Sequence, residues 1–283
     1  MERTELTEEI ERAEGLLLQD QAEQAEELLA RLADDAEAYV DANCPTTDEL
    51  QWFAFPTLFD RLAYRRVERD PRELRDVGEP LARLYADLAL ARVRAEDYEG
   101  ASAALRAAIR WNPMDCASRL NLADLCRISG DTQEYLALTY SVFERASEAG
   151  HLARAFVNFA GWFQASEKDR VAAAALHAAR NLDVRDGVLA AALEQAAGTD
   201  RDPDLVTDAE ATELLAGEGL PDGANAEIAV CLLMCAGDAA AAGASDVAVN
   251  LTLRARDLVG EAAATALLDL IRETDEEAAD GEE

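Results

Sequence analysis

Apolar residues return at intervals of three and four along most of the chain, the spacing that puts them on one face of a helix. Residues 5–19 carry Ile10, Ala13, Leu16 and Leu17, and residues 21–41 carry Ala25, Leu28, Leu29 and Leu32, which predicts a first helical hairpin. Asn43-Cys44-Pro45 ends it, and Thr47 is placed to cap a next helix with Asp48 and Glu49 in its first turn. Leu50 to Val67 gathers Trp52, Phe53, Phe55, Phe59 and Tyr64 around Pro56, and reads as a short helix kinked at the proline. These aromatics are expected to plug the core between an irregular hairpin and a regular stack, with a ligand pocket as the alternative. Asp70-Pro71 and Glu79-Pro80 bracket a short helix or loop.

From Ala82 the pattern becomes periodic. Before the helix-breaking Trp111-Asn112-Pro113 stand Ala108, Leu105 and Ala101, then Tyr98, then Ala89, Leu88 and Tyr85. A shift of 34 residues carries Leu88-Ala89 to Leu122-Ala123, with a Gly-Asp turn at Gly130-Asp131 and weaker matches at Thr139 and Val142. Gly150 to Leu152 is an insertion of three residues, after which Phe156, Phe159-Ala160, Phe163, Ala172, Leu176 and Ala179 restore the frame. The physical cause is packing: two helices approach closely where side chains are small, and large residues fill the gap to the next hairpin.

This spacing resembles the tetratricopeptide repeat, two antiparallel helices in 34 residues. Units 82–115, 116–149 and 153–186 carry it, with departures at Arg92, at Tyr135 and at the missing proline of the third unit. The resemblance implies an all-α, right-handed solenoid of stacked antiparallel hairpins. It also implies a concave face lined by positions 2, 5, 6, 9, 12 and 13 of each first helix. Those positions hold Arg83, Ala86, Asp87, Leu90, Val93 and Arg94, then Ala117, Leu120, Asn121, Asp124, Arg127 and Ile128, then Arg154, Val157, Asn158, Gly161, Gln164 and Ala165. Asn121 and Arg154 occupy two positions of the carboxylate clamp some family members use. Ala86, Leu90 and Asn158 stand at others, so that clamp is not expected.

Beyond the third unit the helical pattern continues. Residues 185–197 form one predicted helix, and Asp202-Pro203 opens another running to about Ala216. Gly217 to Pro221 is a turn, and residues 224–241 and 245–258 form a hairpin with Leu232, Ala236, Ala248 and Ala255 at repeat positions. Glu261 to Arg272 is an amphipathic cap with Ala264, Leu267, Leu268 and Ile271 inward. The expected organisation is a degenerate hairpin at 1–46, an aromatic connector at 47–81 and the repeats at 82–186. Degenerate hairpins with a capping helix at 187–274 and an acidic disordered tail at 275–283 complete it.

Composition agrees with helices: half the residues are hydrophobic, many of them alanine, and seven are proline. No run alternates as a strand does, so no sheet is expected. The net charge of −32 repels phosphates and anionic membrane surfaces, excluding simple binding of nucleic acid or membrane. Lys168 is the only lysine beside 25 arginines. No secretory leader is visible in the acidic stretch from Met1 to Glu9, and Ile228 to Ala236 is too short to span a membrane. Five cysteines in no framework spacing suit reduced thiols in a cytoplasm.

Candidate chemistry is thin. Cys231 and Cys235 share a helix face but make half a metal site at most, and read as core residues. Asp200, Asp202 and Asp204 resemble the start of a calcium loop, yet Leu205 and Ala211 stand where Gly and Glu are needed, so a capping turn is expected. His151 and His177 lack a nucleophile in a recognisable motif. The expectation is therefore no catalysis, no cofactor and no metal. The expected role is a cytoplasmic scaffold or adaptor that takes a peptide or partner protein in its groove, and self-association is possible. Arg83, Arg94, Arg127 and Arg154 would meet acidic groups beside Asp87 and Asp124, Asn121 and Asn158 would hold backbone, and Leu90 and Leu120 would seat apolar anchors. Two alternatives are a sensor with a pocket at Trp52 to Tyr64 and an acidic decoy that mimics nucleic acid.

Overall fold

A computed structural model describes residues 5–280, with side chains described over 5–271. The chain divides into two compact units, before and after the Tyr135–Leu136 bond. The first holds α1 (Glu5–Leu18), α2 (Ala22–Asn43), β1 (Leu50–Phe53), α3 (Leu58–Glu68), β2 (Glu73–Asp76), α4 (Leu81–Arg94), α5 (Tyr98–Trp111) and α6 (Cys116–Ser129). Helix α7 (Thr132–Arg145) runs through the division. The second unit continues with α8 (Ala149–Ala165), α9 (Asp169–Asn181), α10 (Gly187–Ala196), a 3-10 turn at Pro203–Leu205, α11 (Asp208–Gly217), α12 (Ala226–Ala241), α13 (Ser245–Val259) and α14 (Glu261–Asp280).

Sequence neighbours pack as hairpins: α1 on α2, α4 on α5, α8 on α9 and α12 on α13. Their turns share one device. Asp20, Glu96, Glu167 and Gly243 adopt positive φ, as does Gly130 between α6 and α7. In each case the next amide reaches back five residues. Gln21 N–H donates to Leu16 O at 2.9 Å, Asp97 to Arg92 at 2.9 Å, Asp131 to Cys126 at 2.9 Å, Lys168 to Phe163 at 2.9 Å and Ala244 to Ala239 at 2.8 Å. This left-handed C-cap satisfies carbonyls that the helix end leaves open. Glu96 to Gly130 is 34 residues and Gly130 to Glu167 is 37. The small and large repeat residues Leu88, Ala89, Ala101, Leu105 and Ala108 are buried, as are Phe156, Ala160, Ala172, Leu176 and Ala179.

Within the first unit α2 packs on α4, α1 touches α4, and α5 packs on α6. Within the second, α11 and α10 pack on α9, α10 also on α8, and α14 on α12 and α13.

The connector corrects three expectations. Leu50–Phe53 and Glu73–Asp76 form a parallel two-stranded sheet, with Leu50 opposite Glu73 and Phe53 opposite Asp76. Parallel strands need a crossover, and α3 supplies it. Pro56 therefore precedes a helix rather than kinking one. Thr57 is the N-cap, its hydroxyl accepting from Asp60 N–H. Thr47 closes a tight turn ahead of β1 instead of capping a helix, its hydroxyl accepting from Glu49 and Leu50 N–H. Phe53 and Phe55 stack at 4.8 Å between ring centroids, and Tyr64 packs tilted against both at 4.7 and 5.5 Å. Phe53, Phe59 and Tyr64 are buried, so these rings serve as core.

Two further boundaries differ. The helix expected from Pro203 is a 3-10 turn, and α11 begins at Asp208 behind a capping box in which Thr207 and Glu210 bond each other's backbone amides. Helix α14 runs to Asp280, across most of the segment expected to be a disordered tail, while residues 281–283 lie outside the described residues.

Candidate functional site

In the first unit, α4 and α6 carry the mapped positions of the first two repeats. The N-terminal hairpin changes what those of α4 can do. Both arms of the Arg83 guanidinium bind the Glu14 carboxylate of α1, with Nε and Nη2 each at 2.7 Å. Arg94 donates to the Leu17 carbonyl at the C-terminal end of α1, which also accepts from Asp20 N–H at 3.2 Å. Arg83 and Arg94, expected to face a partner's acidic groups, are thus engaged within the chain, because α1 lies beside α4. Asp87 sits half-buried in the same contact, and burial first, then the neighbouring Glu14, push its carboxyl up to about 7. Arg92 donates to Gly100 O at 3.1 Å and reaches Glu26 at 3.4 Å.

Leu120 is a correction. It is 0% exposed and cannot seat an external anchor. It shares its helix face with Cys116 and Ala123, one turn away on either side and both buried. The apolar side chains that do reach solvent are Leu90 at 44%, Val93 at 36% and Ile128 at 65% exposure. They fall at positions 9, 12 and 13 of the repeat numbering expected from the sequence. Asn121 and Arg127 on α6 are exposed, and Asp124, half-buried, faces Arg127 at 3.9 Å. In the second unit Arg154 and Asn158 are half-buried on α8.

Other candidates resolve into structural roles. Burial pushes the Cys126 thiol up to about 11, which keeps it protonated and unreactive. Cys231 and Cys235 are buried on α12. Asp202 is a turn cap, accepting from Gly198 N–H at 2.7 Å and Asp204 N–H at 3.0 Å, and those bonds lower its pKa. His177 acquires partners that the sequence did not suggest. Its Nε2 lies 2.6 Å from an Asp208 carboxylate oxygen and its Nδ1 3.0 Å from Pro203 O, so a buried imidazole ties the 203–208 turn to α9. That contact is the main cause of Asp208's lowered pKa. No group of three or more His, Cys, Asp or Glu among the described residues is arranged to hold a metal ion. No described helix is long and apolar enough to cross a membrane.

The chain matches no protein-family model and no curated protein.

Proposed function

We propose that this chain is a non-catalytic protein-interaction module of helical hairpins, of the tetratricopeptide kind, that binds a peptide segment or partner protein on the exposed faces of its first helices. The observation that carries this reading is the exposure of Leu90, Val93 and Ile128 on helices whose other large apolar residues, such as Leu88 and Leu122, are buried. Aliphatic side chains held in water on a rigid, otherwise charged helix are suited to enter a partner's apolar pockets. Arg127 and Asn121, on the same helix as Ile128, supply a planar cation for carboxylates and a donor–acceptor pair for peptide backbone. The net charge of −32 favours a partner with basic surroundings and speeds its encounter.

The test is affinity capture from the native host with the wild-type chain and with a Leu90→Asp, Ile128→Asp, Arg127→Glu variant, read by quantitative mass spectrometry. A partner retained by the wild type and depleted at least about tenfold by the variant, roughly 1.4 kcal/mol or more, supports the reading. Equal recovery by both proteins contradicts it.

A further inference from the structure

The contact between α1 and α4 holds two carboxylates side by side. Asp87 Oδ2 is shielded from solvent and has no hydrogen-bond donor. Its interacting neighbour is Glu14, which Arg83 already holds by two arms. Carboxylates are acceptors, so Asp87 and Glu14 form a hydrogen bond only if one of them carries a proton. With both ionised, two like charges are pressed together where burial weakens their hydration.

We propose that α1 is a proton-dependent arm, held against α4 while the Asp87–Glu14 pair carries a proton and loosened once both carboxylates are ionised. The groups acting on Asp87 are Glu14 from α1 and Arg83 from α4 itself, the second opposing the first. From α2, Glu26 faces Arg92 and Glu37 accepts from the Tyr85 hydroxyl. From the start of α5, Asp97 caps its own helix by accepting from Gly100 N–H. Each of these therefore has its own partner.

The sign follows from the direction of the shift. A carboxyl raised in the docked state, here from the ordinary aspartate value to about 7, binds more protons docked than free. Its contribution to docking is full below about pH 4 and is lost as pH rises through about 7. Release of α1 would free Arg83 and Arg94 beside Leu90, on the face to which partner binding is assigned above. The proton dependence itself holds whether or not that face binds a partner.

Hydrogen exchange of the full chain at pH 5.5 and 8.5, expressed as protection factors, tests this without a partner. The amides of α1 should lose about tenfold or more in protection relative to α5 at the higher pH. Asp87→Asn, whose amide donates to Glu14 at every pH, should keep α1 protected at both. Glu14→Gln should shrink the pH dependence without removing it, since burial of Asp87 remains, and from a lower starting protection because the Arg83 ion pair is gone. Unchanged α1 protection between the two pH values in the wild type, or an equal fall in both variants, overturns the proposal.

Discussion

Asp70 and Asp87 show how one residue type takes opposite signs. Asp70 accepts from Arg72 N–H at 3.0 Å, from the Arg72 guanidinium at 2.7–3.2 Å and from the Tyr64 hydroxyl at 2.7 Å. The Arg72 bonds, above all, hold its carboxyl well below the usual carboxylate range. A depressed carboxyl stabilises the fold above about pH 4, and that stability is lost as pH falls towards its folded pKa. Urea unfolding at pH 6 and pH 3 should therefore show the wild type losing stability in acid. Asp70→Asn should be weaker by about 2 kcal/mol at pH 6, with a smaller further loss at pH 3. Asp87 runs the other way, losing its contribution as pH rises. Neither behaviour was legible in a chain with 58 acidic residues, because the sign depends on whether an arginine or a second carboxylate lies opposite. His177 was hidden for the same reason: its partner Asp208 is on a later helix.

At the scale of elements the hairpin helices were the most legible feature. Leu88-Ala89 with Ala101, Leu105 and Ala108 announces a close hairpin crossing, and all five are buried. Enlarging a residue at such a crossing should be costly: Ala101→Leu, at a site with no exposed surface, is expected to destabilise by about 1–3 kcal/mol in urea unfolding. The turn residues offer a matched pair. Glu96 holds φ 61° and Gly130 φ 84° at equivalent places. A side chain is disfavoured in this left-handed region, so Glu96→Gly should stabilise by about 0.5–1 kcal/mol and Gly130→Ala should destabilise by about 1 kcal/mol. The capping box at Thr207 and Glu210 carries a sequence signature, Thr-x-x-Glu, that outranks the Asp202-Pro203 start; Thr207→Ala should cost about 1 kcal/mol. The small sheet was not legible. Leu50–Phe53 and Glu73–Asp76 are four residues each and lack alternating β-branched residues. Their support is tertiary: Arg110 on α5 donates to Trp52 O at 3.1 Å, Ala54 N–H to Trp111 O at 2.9 Å, and Arg61 to Leu74 O at 3.0 Å.

For the whole molecule, charge and surface decide the remaining questions. A net charge of −32 on 283 residues repels itself in the folded state, and salt screens that repulsion over about 10 Å at 0.1 M. Thermal unfolding should therefore shift upward by several degrees, on the order of 2–4 °C per kcal/mol recovered, between low salt and 0.5 M sodium chloride. The candidate site was half legible. Repeat numbering located Leu90, Val93 and Ile128, which are exposed, but could not show that Leu120 turns inward or that α1 already holds Arg83 and Arg94. Under the proposed function, exposed first-helix residues meet a partner. The most direct measurement is photo-crosslinking from a benzoylphenylalanine placed at Ile128 on α6 against one at exposed Ala103 on α5, the second helix of the α4–α5 hairpin. A partner should be captured from Ile128 and little or none from Ala103; equal yields from both positions, or capture from Ala103 alone, would contradict partner binding by the exposed first-helix residues.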